Sequence, residues 1–484
     1  MHYAGRYLIF CLVFALLAIT APAYKNIIFS TKFVDEEYNF AIGKYLTRGE
    51  ILYGDIITNH QPITHLLSGF LQYKQKPGTT KDLINTQRTA IANWSAIWSI
   101  ILVFYFGLAG LIFSFIFELT RNHLYGNLFL AETITAYPLA FLIGLALFRK
   151  EPLKAFELFL SGALLAFLAL TLGPTWPAII FLAFIFLIKQ FKDSGFKKSL
   201  ALGLSGFLLI FLLILPFVNV PGYFRYYIFG NLENTIPHAA EYWIPTLIKS
   251  FVSPALVFVI KEPTDNLRLI QALSVILILS LAFKKKFSFA AAIFIILGLL
   301  NLRFVNPGDG YSRGFHLLPW YSVLVFISSL LFVGQLKSKS PNIIKVISIG
   351  ALIVAIFFSL KSAKLTLFTK KDAERDYTVF YSTHTKIGES IKGFKKHGDT
   401  LFVFPDAWLV YWQSDTGHLP GLFGYYTWMS GIPELKKAVN QAFTKFPPTF
   451  FYCEGCQYTD LNQYLYKYKE AKGYENKQNL LVLP

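Results

Sequence analysis

Charge is what this sequence has least of. Only 15% of its 484 residues are Asp, Glu, Lys or Arg, where a soluble domain carries about a quarter. The shortage falls on the acids: 28 carboxylates stand against 45 Lys and Arg, a net charge of +17. Cysteine is scarce as well, with three residues. One C-x-x-C, Cys453 and Cys456 in "FYCEGCQY", lacks the second Cys/His pair that a tetrahedral zinc site requires. A redox pair, a small disulfide and a chance spacing in a turn stay open for it. No internal repeat and no low-complexity tract is present, so the matched halves common in transporters are missing.

Apolar sequence fills the space left by charge. The chain is 54% hydrophobic and 17% aromatic, with a mean hydropathy of +0.48. The runs at 6–24, 198–220 and 343–360 reach or approach the roughly 20 residues that cross a bilayer. The first run has Arg6 before it and small residues in "ITAPA", as a cleaved signal does. Its apolar part exceeds the usual signal core of about 7–15 residues, and many runs follow, so it is expected to stay as the first helix.

The excess of positive charge sorts by loop. Arg149, Lys150 and Lys154 form one cluster; Lys189, Lys192, Lys197 and Lys198 a second; Lys284–Lys286 a third; Lys337, Lys339 and Lys345 a fourth. Short basic loops between apolar runs mark the cytoplasmic side. The charge therefore reports topology and calls for no nucleic acid. With the N-terminus inside, the spans read 7–24, 90–106, 109–128, 134–148, 154–170, 174–190, 198–219, 267–283, 287–302, 317–334 and 342–360. That makes a polytopic α-helical membrane protein of about 11 transmembrane helices. The third span is split from the second near Gly107–Gly110, which leaves Glu118, Arg121 and His123 at membrane depth, facing the interior or paired. Segment 243–260 is read as interfacial or re-entrant.

Two domains follow. Residues 1–360 form the membrane module, with a long first outer loop at 25–89. Residues 361–484 form a small extracytoplasmic α/β domain, with strands at 399–405, 449–453 and 479–484 and helices at 378–396, 432–443 and 460–471. The composition, rich in Lys, Ile, Phe and Asn, suits a bacterial plasma membrane.

Three acids, Asp35, Glu36 and Glu37, stand directly after the first span. One can cap or open a helix, which leaves the others without a task. Further along come Asp55 in "LYGD", Glu132 after the third span, and Arg313 and His316 in "GDGYSRGFHLLPW". The topology brings all of them to one membrane surface. Each also has a plainer reading: Asp55 as a turn residue, Glu132 as a helix cap, Arg313 and His316 as part of an interfacial belt beside Trp320. His60 and His65 flank Gln61-Pro62, where contact with substrate or a metal is open.

These residues resemble a family. An Asp-Glu pair after the first helix, then Gly49, Tyr53, Asp55 and Pro62 in a "G-x-x-x-Y-x-D" element, an acid at Glu132, and Arg313 and His316 before a late helix are similar to the GT-C superfamily of polytopic glycosyltransferases. The branch is that of the protein O-mannosyltransferases and the bacterial aminoarabinose lipid A transferase. The resemblance covers roughly 30–360. It implies a GT-C-like fold and transfer of a sugar from a polyprenyl-phosphate donor to a hydroxyl acceptor, with inversion, on the outer face. The acceptor class, whether protein, lipid or glycan, is left open. By the same resemblance Asp35 is the general base and Glu36 its partner, while Glu132, Asp55, Arg313 and His316 bind substrate. A divalent cation, Mg or Mn, would sit at Asp35 and Glu132, although many relatives carry Asp where this chain has Glu132. The rival readings are a transporter or lipid flippase, and a polymerase or ligase of surface glycans.

Overall fold

The computed structural model describes residues 3–191, 196–231, 243–261, 263–283, 287–302, 314–338, 340–420, 423–425, 433–470 and 480–483. The chain is mostly helical. Its first nine long helices are α1 (Tyr3–Asn26), α2 (Val34–Thr47), α3 (Pro62–Gln75), α4 (Thr80–Phe106), α5 (Leu108–Thr120), α6 (Ala131–Ile143), α7 (Ala155–Ala169), α8 (Trp176–Phe191) and α9 (Phe196–Ile214).

Among the described residues eight helices are long and apolar enough to cross a bilayer: Gly5–Asn26, Thr80–Phe106, Ala131–Phe148, Gly173–Phe191, Phe196–Phe217, Asp265–Phe283, Gly314–Lys337 and Asn342–Thr366. The other three expected spans are also helices, but shorter: α5 has 13 residues, α7 has 15 and Phe287–Leu300 has 14. The protein is a multi-pass membrane protein, and eight of the eleven expected spans are long and apolar enough to cross a bilayer. Segment 243–260 holds a helix of 14 residues, Trp243–Leu256.

The break between α4 and α5 falls at Gly107, whose φ of 58° is open to glycine and strained for other residues. A Cβ on Gly110 would stand 2.4 Å from the Leu102 carbonyl oxygen. The two small residues let the chain reverse on itself, as the split near Gly107–Gly110 requires.

The chain divides into two compact units. The first comprises Met1–Ile27, Arg88–Leu213 and Glu241–Lys370. Its centre is α6 and the helix Leu318–Lys337, which are apolar on all sides. In both of their spans 83% of the apolar window is buried by neighbouring helices, against 11% for the α9 span and 22% for Asn342–Thr366. Buried all-apolar helices form the core of a bundle. The outer ones present Leu204, Leu208, Leu212, Ile343, Val346 and Ile353 outward, a surface suited to lipid tails. Lys189, at the end of α8, donates to the carbonyls of Leu145 and Arg149 at 3.1 and 2.6 Å. Arg149 itself pairs with Glu157 at 2.6 Å.

The second unit comprises Ile28–Gln87, Ile214–Ala240 and Lys371–Pro484. It holds a four-stranded sheet of β1 (Leu401–Phe404), β2 (Phe450–Cys453), β3 (Lys469–Glu470) and β4 (Leu480–Val482), in the order β1-β2-β4-β3. β1 runs parallel to β2, with Leu401 opposite Phe450; β4 is antiparallel to both of its neighbours. Alternate residues Phe402, Phe404, Phe451 and Cys453 pack with Val439, Phe443 and Tyr464 in one core, as a period of two requires. The expected strands at 399–405, 449–453 and 479–484 are present, and the expected helices at 378–396 and 432–443 run Ala373–Phe394 and Pro433–Lys445. The helix expected at 460–471 is instead a 3-10 segment, Asp460–Lys467, followed by β3. β4 draws Lys469 and Glu470 into the sheet, so tertiary pairing overrides the local helical pattern. Cys453 and Cys456 form a disulfide.

The first outer loop folds within this second unit. Trp412 Nε1 donates to Gln72 Oε1 at 2.8 Å, and Gln72 Nε2 donates to the Phe40 carbonyl at 2.9 Å. Tyr45 donates to the Thr416 carbonyl at 2.7 Å. Asp415 receives Lys44 at 2.7 Å and Lys395 at 3.5 Å, and Arg48 as well. Burial would raise the Asp415 carboxyl, but Lys44 and Arg48 outweigh it and hold the group well below the usual carboxylate range.

Candidate active site

α2 begins at Val34 after Phe33, whose extended backbone (φ −147°, ψ 129°) supplies the entry and no side-chain cap. Asp35, Glu36 and Glu37 fill the first turn, where the free amide hydrogens and the helix dipole favour negative charge. Their environments differ. Asp35 is half-buried, whereas Glu36 and Glu37 are buried. Two of the three acids are therefore not solvated surface charges, since buried carboxylates are found where something holds them.

Around this turn stands a ring of groups from distant sequence. Lys32 Nζ lies 4.0 Å from Glu37 and donates to His384 Nδ1 at 3.0 Å. An ammonium only donates, so Nδ1 accepts and the imidazole proton sits on Nε2. Nε2 faces Glu454 at 3.4 Å. The link runs Lys32–His384–Glu454, with the imidazole neutral, because burial pushes the His384 pKa down. The hydrogen bond from His384 lowers the Glu454 carboxyl to about 2, with Tyr452 donating to the same group. Asp406 behaves in the opposite way: burial, then the Asp35 charge, raise its carboxyl to about 6.

Behind Asp35, Tyr38 packs edge-on against His60, His65 and Trp408 at centroid distances of 5.2, 5.7 and 4.8 Å. His65 is fully buried, and burial holds its imidazole neutral. Asp55 lies in an exposed turn, where its Oδ2 accepts the Ile51 amide at 2.8 Å. Tyr53 next to it adopts a left-handed φ of 62° and donates to the His60 carbonyl. Asp55 thus shapes the loop that carries His60 and Gln61.

In the first unit, Glu132 opens α6 in the second position of its first turn and is 6% exposed. His316 Nδ1 stands 3.1 Å from Glu132 Oε1. These two expected site residues, 184 positions apart, are brought into contact. Arg313 lies outside the described residues, as do Arg303, Asp309 and Lys284–Lys286. Glu118 and Arg121, left at membrane depth by the sequence, pair at 3.1 Å and are both buried. Arg121 also donates to Ser95 at 3.1 Å and to the Gly126 carbonyl, while its guanidinium lies 4.4 Å from the Tyr24 ring centroid. Tyr137 donates to Glu118. The charge is fully accompanied, as burial in an apolar bundle demands.

Among the described residues no group of three or more His, Cys, Asp or Glu side chains is arranged to hold a metal ion.

Lys32, His384, Asp406 and Glu454 were missed at the level of sequence. A signal existed for two of them. Asp406 follows the carboxyl end of an expected strand, and Glu454 lies inside the C-x-x-C just past another, the positions where loops on a sheet carry functional groups.

Over 96% of its length the chain is similar to the oligosaccharyltransferase of Archaeoglobus fulgidus solved with Zn and sulfate, at 11% identity and a TM-score of 0.54, covering 73% of that chain. The same archaeal enzyme, AglB, in complex with an inhibitory peptide and a dolichol-phosphate matches 96% of this chain and 74% of its own, at 12% identity and a TM-score of 0.52. ArnT from Cupriavidus metallidurans, bound to undecaprenyl phosphate, matches 98% of this chain and 97% of its own, at 10% identity and a TM-score of 0.53. At such identities the likeness speaks for the fold. No family model and no curated protein matches the sequence.

Proposed function

We propose that this protein is a glycosyltransferase that moves a sugar from a polyprenyl-phosphate donor to a hydroxyl acceptor on the outer face of a plasma membrane. The observation that carries the reading is the acidic first turn of α2, placed directly after the first membrane helix in a chain whose fold is similar to those of the archaeal oligosaccharyltransferase and ArnT. Dolichol-phosphate bound to one similar structure and undecaprenyl phosphate bound to another support a lipid-phosphate donor.

The acceptor hydroxyl is a weak nucleophile and needs a base. Asp35, half-buried and at the start of a helix, takes its proton as the oxygen attacks the anomeric carbon. The bond from that carbon to the phosphate oxygen breaks, the electron pair leaves with the lipid phosphate, and one displacement inverts the centre. Glu36, buried beside the base, orients it or holds sugar hydroxyls. His316, oriented by Glu132 at 3.1 Å, and Arg313 neutralise the growing phosphate charge. Asp55 binds substrate through the loop it shapes. The N-terminus is cytoplasmic and the 361–484 segment extracytoplasmic. A Mg or Mn ion at Asp35 and Glu132 belongs to the same proposal; chelation followed by metal add-back decides its part.

The test is incubation of purified protein with radiolabelled polyprenyl-phosphate sugars and candidate acceptors. Label leaves the carrier with the wild type. Asp35→Asn lowers the rate by about 10²–10⁴-fold with expression and membrane insertion unchanged. Full activity in Asp35→Asn removes the base assignment, and a wild type inert on every lipid-linked sugar removes the reading.

A further inference from the structure

A cavity of about 390 Å³ lies in the first unit between α7, α8 and α9. Trp176, Ile179, Ala183, Phe186 and Gln190 line it from α8. Their spacing of three and four places them on one helical face, about 21 Å long at 1.5 Å per residue. That is longer than one leaflet, which is half of a hydrocarbon core roughly 30 Å thick. Gly162 and Gly203 line the cavity where α7 and α9 meet. Ile180, Leu187 and Leu204 line it as well and are exposed, so it opens sideways toward lipid tails.

Two buried polar side chains line this cavity, Ser161 and Gln190. Ser161 donates to the Glu157 carbonyl at 2.7 Å. Gln190 is 6% exposed, and its Nε2 donates to no group among the described residues. A buried donor without an acceptor is costly, and a native structure that keeps one calls for a partner.

The level of Gln190 in the membrane is fixed by its neighbour. Lys189 donates to the Leu145 and Arg149 carbonyls, at the carboxyl end of the span Ala131–Phe148. Glu132 and His316 meet at the other end of that span, about 25 Å along the helix axis. The Gln190 end is basic. Lys150 follows Arg149, and Lys197 and Lys198 stand between Phe196 and Ser199, both of which line the cavity. All three lysines are exposed, and none forms an ion pair among the described residues. The carboxylates described at this end, Glu151 and Glu157, both pair with Arg149.

We propose that this cavity binds an anionic phospholipid from the leaflet on the side of the basic loops. One acyl chain lies along the α8 face, an ester or phosphate oxygen accepts from Gln190 Nε2, and the headgroup charge meets Lys197 and Lys198. Basic pockets between transmembrane helices recognise such headgroups. A zwitterionic lipid fits the apolar part equally well but sets a cation of its own beside the lysines. The lipid is distinct from the proposed sugar donor, whose phosphate reacts at the Glu132–His316 end. The inference goes beyond the glycosyltransferase reading and does not depend on it.

The experiment uses the full chain in detergent, with phosphatidylglycerol, phosphatidylcholine or undecaprenyl phosphate added. Native mass spectrometry reads binding, and thermal midpoints read stabilisation. Phosphatidylglycerol should bind and raise the midpoint by several degrees, more than phosphatidylcholine does. Gln190→Leu keeps the bulk and removes the donor. It should melt no lower than wild type without lipid, and its affinity for phosphatidylglycerol should fall about tenfold. Lys197→Gln combined with Lys198→Gln should lose about fivefold for each lysine and leave phosphatidylcholine binding unchanged. Should Gln190→Leu fail to fold, the lysine variant decides. Equal affinity for the two phospholipids overturns the inference, as does wild-type binding of phosphatidylglycerol by these variants. Undecaprenyl phosphate that displaces phosphatidylglycerol, and is weakened to the same degree by Gln190→Leu, also overturns it and gives the cavity to a polyprenyl phosphate.

Discussion

Glu454 and Asp406 each follow the carboxyl end of one of two parallel paired strands and carry pKa shifts of opposite sign, and the difference is one of partners. His384 and Tyr452 donate to Glu454 and stabilise its charge. Its pKa falls to about 2 from the ordinary 4.5. A depressed carboxyl stabilises the fold above its unfolded value, and the benefit is lost as pH falls toward the folded value. Glu454→Gln should therefore melt below wild type at neutral pH, with the deficit vanishing near about pH 2. A thermal-shift series against pH reads this directly. A deficit that persists undiminished in acid would assign Glu454 a packing role. The acids of α2 were legible in the sequence because they stand together, beside a membrane run. His384 and Glu454 were not, because single polar residues in ordinary α/β sequence carry no mark of what lies opposite them.

At the scale of elements, small residues decide how closely helices meet. α7 and α9 cross with backbones nearly touching: a Cβ on Gly162 would fall 1.8 Å from the Gly203 carbonyl oxygen. In a bilayer there is little hydrophobic force between helices, so close packing of this kind carries much of their association. Gly162→Leu should separate α7 from α9 and lower the midpoint of thermal unfolding in detergent by several degrees, through overpacking worth about 1–3 kcal/mol. An unchanged midpoint would mean that α9, whose span is only 11% buried, contributes little to the bundle. The α4–α5 break illustrates what local sequence can announce, since Gly107 and Gly110 mark it without reference to the rest of the chain. The β3 strand illustrates the reverse. Its two residues read as the end of a helix, and their partners are Val482 and Leu481 of β4.

On the scale of the whole molecule, the second unit is built from three separated pieces of chain. Tyr38 packs on Trp408, Trp412 bonds Gln72, and Thr80 donates to Gln413 at 2.6 Å. Segment 371–484 therefore leaves buried aromatic and polar groups without partners when it is made alone. Expressed by itself, it should show poor dispersion of amide resonances; co-expressed with 28–87, it should gain a folded spectrum. A well-folded 371–484 fragment would show that its own sheet and helices suffice. The pieces are far apart in sequence, so their assembly waits on closure of long loops, at an entropic cost that grows slowly with length.

Composition and pattern by themselves determined the solvent this chain lives in. A shortage of charge, apolar runs of bilayer length and basic clusters between them leave a multi-pass helical protein as the outcome, because unpaired backbone and charge are too costly in lipid. The placement of Asp35 and Glu36 after the first helix was equally a property of the string. What the tertiary structure decided is which groups share a field with which: Glu132 with His316, Lys32 with His384 and Glu454, Asp406 with Asp35. Electrostatic effects act over a few ångströms of space, and local periodicity holds no information about residues more than 300 positions away.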